Sequence, residues 1–152
     1  MGNLKLTSSA FEDCCEIPRE FGYKNANVAP SMAIIGIPEG TKSLALVMDD
    51  PDAMGAVGKV WVHWIVWNMD PTNAEIGENL RDVLREGITD FGKVGYGGPA
   101  PPDKRHTYVF KLYALDCKVL PCSGSQITLP EIETAMEGYI IEQTQLTGTY
   151  AP

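Results

Sequence analysis

The chain has 152 residues and a formal net charge of −8. This length suits one domain with one substantial core, so we expect a single domain over residues 1–152. The negative charge disfavours nucleic acid as a partner, because a phosphate backbone selects clustered Lys and Arg. No stretch approaches the roughly 18 apolar residues of a membrane span, and the first residues lack the apolar segment of a secretory signal. We therefore expect a cytoplasmic protein.

Short apolar runs separated by turn residues indicate a mostly β chain. The runs interpreted as strands are Ala33–Ile37, Ser43–Asp50, Val60–Met69 and Thr107–Leu115. In the third run, strict alternation predicts His63, Ile65 and Trp67 on the face of Trp61, with Trp64 on the other face. Because both faces are apolar, we expect this strand to be central and covered on both sides.

The last of these runs directly follows His106, the second of the chain's two histidines. Alternation places His106, Tyr108 and Phe110 on one face. His63 and His106 each lie at or near the start of an apolar run. The sequence therefore predicts both imidazoles near the rim of the core.

A helix is predicted within the segment "TLPEIETAMEGYIIEQTQL". Thr128 stands three residues before Glu131, which is the spacing of a capping box. Ile132, Met136 and Tyr139 follow a helical apolar period, so this helix should lie against the sheet. The earlier segment "ENLRDVLREG" could form a short helix, within the region 76–93 that the sequence leaves open.

Two loops concentrate polar groups beside the histidine strands. "DDPDAMG" (Asp49–Gly55) carries three carboxylates at a strand end, and one of them could turn inward to orient a histidine. "GYGGPAPPDKRHTY" (Gly95–Tyr108) carries glycines that allow a close backbone approach, and their N–H groups can bind an anion. Lys104 and Arg105 add positive charge beside His106.

The sequence lacks the motifs of several enzyme classes. It contains no H-E-x-x-H, no G-x-S-x-G and no phosphate-binding G-x-x-x-x-G-K-[ST]. The remaining imidazole, phenol and backbone donors suit a small anion such as phosphate, sulfate or a carboxylate. Two alternatives remain open: a metal-dependent enzyme with His63, His106 and Asp50 as ligands, and a purely structural role for both histidines.

The four cysteines do not have the spacing of a zinc site. Cys14 and Cys15 are adjacent, and Cys117 and Cys122 enclose four residues. Free thiols and a Cys117–Cys122 disulfide both remain possible from the sequence.

Four segments in this order, "LALVMDDPDA", "VHWIVWNM", "DFGKVGYGGPAPP" and "HTYVFKLYALD", resemble the phosphatidylethanolamine-binding protein family, which includes the Raf kinase inhibitor protein. The bacterial and archaeal branch is the most similar. The resemblance covers nearly the whole chain. It implies an antiparallel β-sandwich with Greek-key connections and a C-terminal helix. It also implies a non-catalytic binding protein without a cofactor, with a kinase or a serine protease as its protein partner.

The resemblance places one ligand pocket, for phosphate or a phosphoethanolamine head group, on Asp50, Asp52, Trp61, His63, Gly98, Pro99, His106 and Tyr108. His63, His106 and Tyr108 would donate to the anion, together with backbone N–H groups near Gly98. Asp50 would fix a histidine tautomer or meet an ammonium group, and Trp61 would wall the pocket. The chain departs from the family pattern at Met54, where proline is usual, and at Thr107, where arginine is usual.

Overall fold

The protein is described from a computed structural model that covers residues 2–72, 75–76, 85–118 and 126–152. The strands are Lys5–Ser8 (β1), Cys15–Glu16 (β2), Met32–Ile35 (β3), Ser43–Asp50 (β4), Trp61–Met69 (β5), Glu75–Ile76 (β6), Arg85–Glu86 (β7), His106–Leu115 (β8) and Ile140–Tyr150 (β9). Two α-helices, Ala53–Val57 (α1) and Leu129–Met136 (α2), and a 3₁₀ turn at Arg19–Phe21 complete the described elements. Within these ranges, no helix combines the length and the apolar character that crossing a bilayer requires.

Among the described residues, the strands form a small sheet, ordered β1-β3-β6, and a large sheet, ordered β2-β9-β8-β4-β5-β7. The main core lies between them, with Leu6 and Ile34 from the small sheet packed with Leu46 and Phe110 from the large one. The mostly β prediction is confirmed. The large sheet is nevertheless mixed, because β2 pairs with β9 in parallel.

Strand β4 is buried along its whole length, as expected for a central strand covered on both faces. A second core on its far side contains Ala45 and Val47 of β4, with Ile132 and Met136 of α2. The predicted contact between this helix and the sheet is therefore confirmed.

Helix α2 is shorter than its apolar period predicts. Thr128 is the N-cap residue, although its side chain makes no capping hydrogen bond. The helix ends at Met136, and Gly138 has a φ of +82°, a conformation that glycine adopts without steric cost. Ile140 then begins β9, so the helical prediction for the second half of that segment is wrong.

A β-bulge interrupts β5 at His63. Met48 of β4 pairs with Trp64, but the next residue, Asp49, pairs with Val62. Two steps along β5 therefore match one step along β4, and His63 is the additional residue.

The bulge changes which side chains share a face of β5. The His63 ring packs against Tyr108 of the main core, and Trp64 belongs to the same core. Ile65 and Trp67 lie in the second core, beneath α2. The prediction that His63 shares a face with Ile65 and Trp67 is wrong, because one additional residue reverses the alternation.

Two sequence predictions involve residues outside the described ranges. Most of the short helix considered for "ENLRDVLREG" lies there, and its last residues, Arg85 and Glu86, form strand β7. Cys122 also lies outside these ranges. Among the described residues, Cys14, Cys15 and Cys117 form no disulfide with one another.

Candidate functional site

His106 lies between two carboxylates at the start of β8, with none of its surface exposed. Its Nδ1 donates to Asp50 Oδ2 and its Nε2 donates to Asp103 Oδ1, each at 2.7 Å. Because an ionised carboxylate can only accept, this arrangement favours a ring with protons on both nitrogens, which is the cationic form. Burial disfavours that cation, but the two carboxylates outweigh burial and raise the pKa of His106.

The acidic corner after β4 holds the start of β8 in place. Asp50 uses its second oxygen, Oδ1, to accept from the Ala53 amide at 3.2 Å. Asp52 is exposed, and its Oδ2 accepts from the Thr107 amide at 2.8 Å. Asp50 therefore holds the ring of His106 in place. The carboxylate of Asp52 binds the backbone of β8.

His63 is joined to the glycine-rich loop by two hydrogen bonds. Its Nδ1 donates to the Gly97 carbonyl at 2.7 Å, and the Gly97 amide donates to the His63 carbonyl at 2.8 Å. Burial lowers the pKa of His63, and the Gly97 carbonyl and the Asp50 charge do not offset it. The lowered pKa favours the neutral ring, in which Nδ1 donates to Gly97 and Nε2 carries a lone pair. Donation from His63 to an anion, as the sequence predicts, would require a proton on Nε2.

The Gly98 amide is already occupied by a side chain of the protein. It donates to Asn27 Oδ1 at 2.7 Å, while the Pro99 carbonyl accepts from the Tyr23 amide at 3.0 Å. A Cβ at position 98 would lie 2.1 Å from the Phe21 carbonyl oxygen, so only glycine fits there. The loop is thus tightly packed against the residues around Phe21, and the Gly98 N–H already has an acceptor.

Three buried donors make no hydrogen bond among the residues that the structure describes: Trp67 Nε1 in the second core, and the Tyr108 hydroxyl and Trp61 Nε1 at this site. The Tyr108 ring meets the His63 ring edge-on at 5.1 Å and stacks on the His106 ring at 6.4 Å. Its hydroxyl lies close enough to the Asp50 carboxylate and the Ala100 backbone to interact with both, but the geometry falls short of a well-formed hydrogen bond to either. Burial, reinforced by the Asp50 charge, raises the pKa of Tyr108, so the hydroxyl stays protonated and can donate.

Phe91 links the remaining aromatic side chains to this cluster. Its ring lies 5.6 Å from Trp61, 5.2 Å from His63 and 4.0 Å from Tyr23, which stacks on it. Trp61 therefore lies on the His63 side of β5. A cavity of about 290 Å³ opens beside Phe91. It is lined by Tyr23, Asn27, Thr89, Phe91, Lys93, Val94, Gly95, Tyr96 and Gly97.

Comparison with known proteins assigns the family. Residues 7–151 match the family model described as phosphatidylethanolamine-binding protein. The chain belongs to the phosphatidylethanolamine-binding protein family. A UPF0098 protein of Chlamydia pneumoniae is 38% identical over 149 residues, covering 97% of this chain and 98% of the relative. A UPF0098 protein of Methanothermobacter thermautotrophicus is 37% identical over 153 residues, with the same coverage.

Solved structures of other family members have the same fold. A phosphatidylethanolamine-binding protein homologue, CT736 of Chlamydia trachomatis, has a TM-score of 0.89 and 34% identity, covering 99% of this chain and 98% of its own. YbcL of E. coli, titled a new member of the mammalian family, has a TM-score of 0.88 and 29% identity, with 98% of each chain covered. The resemblance found in the four sequence segments is thereby confirmed.

The structure brings most of the predicted site residues of this family member together. Asp50, His63, His106 and Tyr108 form one contact group, and Trp61 joins it through Phe91. Gly98 and Pro99 belong to the neighbouring loop, and Asp52 supports β8 from outside. Arg105, expected to add positive charge near His106, instead donates to Glu16 at 3.0 Å on the surface.

Sequence reasoning missed three residues of this site. Asp103 binds His106 Nε2, Asn27 binds the Gly98 amide, and Phe91 connects Trp61 with His63. Asp103 left a signal in the sequence, since it stands three residues before His106 in a loop that was already singled out. Phe91 stands in "DFGKVGYGGPAPP", one of the four segments that carry the family resemblance, and Asn27 lies 71 residues before the Gly98 amide that it binds.

The described side chains do not support the metal-dependent alternative. Within the described ranges, no group of at least three His, Cys, Asp or Glu residues could hold a metal ion. Each ring nitrogen of His106 faces a carboxylate, and Nδ1 of His63 faces a carbonyl. The three ligands named for that alternative, His63, His106 and Asp50, are therefore used in hydrogen bonds within the protein.

Proposed function

We propose that this protein is a non-catalytic binding protein whose site takes one small oxyanion: phosphate, a phosphoethanolamine-like head group or a carboxylate. The observation that carries the proposal is the Tyr108 hydroxyl, which is buried beside His106 and has no well-formed hydrogen bond among the residues that the structure describes. A buried donor without an acceptor costs about 1–3 kcal/mol, and protein cores rarely retain one. A ligand oxygen would supply the missing acceptor.

The hydrogen-bond donors around Tyr108 favour an oxyanion over an ammonium group as the ligand, although His106 lies between two carboxylates. Both oxygens of Asp50 already accept hydrogen bonds, from Ala53 and from His106, so this carboxylate has less to offer an ammonium group. The imidazolium of His106 attracts negative charge, and charge-assisted hydrogen bonds are about twice as strong as neutral ones. The buried N–H of Trp61 adds a second neutral donor on the same side of β5.

The central test replaces Tyr108→Phe and measures phosphate binding by calorimetry and amide NMR. Loss of a hydrogen bond to a charged ligand is worth about 1.5–3 kcal/mol, so the Kd for phosphate should rise by about tenfold or more. The free variant should be as stable as the wild type or more stable, because an unsatisfied buried hydroxyl has been removed. A loss of affinity with no loss of stability is typical of a binding residue.

The matched control is Tyr113→Phe, which lies on the same strand but packs towards the second core. Its phosphate affinity should stay within about twofold of the wild type, since it touches none of the site residues. If Tyr108→Phe binds phosphate as tightly as Tyr113→Phe, the proposed site is wrong. O-phosphoethanolamine and acetate, titrated in parallel, distinguish a head-group ligand from a simple anion.

The family resemblance further supports a regulatory role towards a kinase or a serine protease. A phosphorylated or carboxylate-bearing partner segment would present the same chemistry as the small anions. Inhibition assays with a panel of serine proteases and kinases, run with wild type and Tyr108→Phe, test this role. Inhibition that is lost in Tyr108→Phe would connect the role to the site.

A further inference from the structure

Asp103 occupies a position on His106 that a ligand anion requires. His106 has two ring nitrogens, and Nδ1 is held by Asp50, whose side chain is 4% exposed. The other nitrogen, Nε2, is held by Asp103, whose side chain is 46% exposed. The only donor on His106 that a ligand could use is therefore blocked by a carboxylate of the same chain.

We propose that Asp103 is an internal competitor for the ligand anion, so that binding exchanges the Asp103 carboxylate for a ligand oxygen on His106 Nε2. This inference rests on the proposed anion-binding function and adds to it the step by which the site opens. No covalent bond changes. One hydrogen bond to Nε2 breaks, an equivalent one forms, and the Asp103 carboxylate moves into water.

The two carboxylates on His106 differ in how firmly the fold holds them. Asp50 ends the buried strand β4, and its second oxygen binds the Ala53 amide. Asp103 lies in an exposed bend, residues 102–104, flanked by exposed Pro102 and Lys104. Rotation of the Asp103 side chain exposes it fully to solvent without moving a strand, whereas displacement of Asp50 would disrupt the end of β4.

The exchange also satisfies the orphan hydroxyl. With Asp103 bound, the Tyr108 hydroxyl has no partner among the described residues, although its ring stacks on the same imidazole. An incoming oxyanion with two or more oxygens could accept from Nε2 and from the hydroxyl at once, which one tethered carboxylate does not do here. The ligand therefore gains one hydrogen bond more than Asp103 makes.

When a tethered group competes for the site, the apparent affinity equals the intrinsic affinity multiplied by the fraction of molecules in which the site is open. Asp103→Ala should lower the Kd for inorganic phosphate by about tenfold if the contact between Asp103 and His106 is present in about nine-tenths of the molecules. Asp103→Asn, a second variant of the same shape, should tighten the Kd less, because its amide oxygen still accepts. Glu39→Gln is the charge-matched control, an exposed carboxylate in another turn, and should stay within about twofold of the wild type.

The experiment measures phosphate affinity by calorimetry at about pH 6, where a histidine cation is favoured. It also follows the Asp103 carboxyl carbon by NMR, which should shift towards the value of a free carboxylate as phosphate saturates the wild type. If wild type and Asp103→Ala bind phosphate equally well, or the variant binds less tightly, Asp103 is not a competitor and the inference is overturned while the anion site stands. If neither protein binds phosphate, the proposed function fails and the inference fails with it.

Discussion

The pKa values of His63 and His106 shift in opposite directions although both residues lie near strand starts and both contact Tyr108. His63 faces a neutral carbonyl, and burial lowers its pKa. His106 faces two carboxylates, which raise its pKa despite burial. At the scale of single residues, the partner atom decides the protonation state, and neighbouring residues in the sequence do not reveal that atom.

The two histidines should give opposite dependences of stability on pH. Since the pKa of His106 is raised on folding, its contribution is complete below an unfolded value of about 6.5 and disappears as pH rises through the folded value. Since the pKa of His63 is lowered, its contribution is complete above about 6.5 and is lost as pH falls towards the folded value. Each slope is limited to about 1.4 kcal/mol per pH unit, because one proton is involved.

Urea unfolding at several pH values, between about 5.5 and 8.5, would measure both slopes. His106→Gln should remove part of the decline on the alkaline side, and His63→Gln part of the decline on the acidic side. The same slopes in both variants would contradict the assigned protonation states.

At the scale of elements, the sequence predicts the long strands β4, β5 and β8 closely, but it misses β1, β2, β6, β7 and β9 and the irregularities of the strands. Ser43–Asp50 matches β4, and the boundaries of β5 and β8 differ from the prediction by one residue. The bulge at His63 cannot be predicted from the sequence, because it depends on how β5 pairs with β4 and no residue type in β5 indicates it. The start of β9 was read as helix, because the apolar spacing of Tyr139 and Ile140 fits a helical period although Gly138 ends the helix.

The packing of the glycine loop gives a prediction at this scale. Gly98→Ala should destabilise the protein by about 1–3 kcal/mol, because the added methyl group would overlap the Phe21 carbonyl. Gly55→Ala in α1 is the matched substitution, since no atom lies within 4 Å of its added Cβ. It should be neutral or stabilise by up to about 1 kcal/mol. Equal free energies of unfolding for the two variants would show that the glycine loop can move away from Phe21 without an energetic cost.

At the scale of the whole molecule, the global charge opposes the proposed ligand. The chain carries −8, and an anion must approach through that field before it meets the cation on His106. The field weakens with added salt, since the Debye length falls from about 30 Å at 0.01 M to about 8 Å at 0.15 M ionic strength. Specific binding and general screening should therefore both stabilise the protein, and matched salts can separate them.

Thermal unfolding in sodium chloride and sodium phosphate of equal ionic strength measures the two effects. Chloride should raise the Tm by screening alone. Phosphate should raise it further in the wild type, because a ligand that binds only the folded state adds stability as its concentration exceeds the Kd. Tyr108→Phe should respond nearly equally to the two salts. An identical response of the wild type to chloride and phosphate would count against a specific site.

The additional residue in β5 makes the site sensitive to insertion and deletion. A chain that lost only Val62 would keep all three tryptophans, both histidines and nearly the same composition. Pairing with β4 would then be regular from Asp50 to Leu46, and the imidazole at position 63 would turn away from Tyr108 towards helix α2. A sequence alignment with a one-residue gap between Trp61 and Trp64 can therefore match every recognisable motif of two proteins. Only the protein without the deletion would nevertheless have the site.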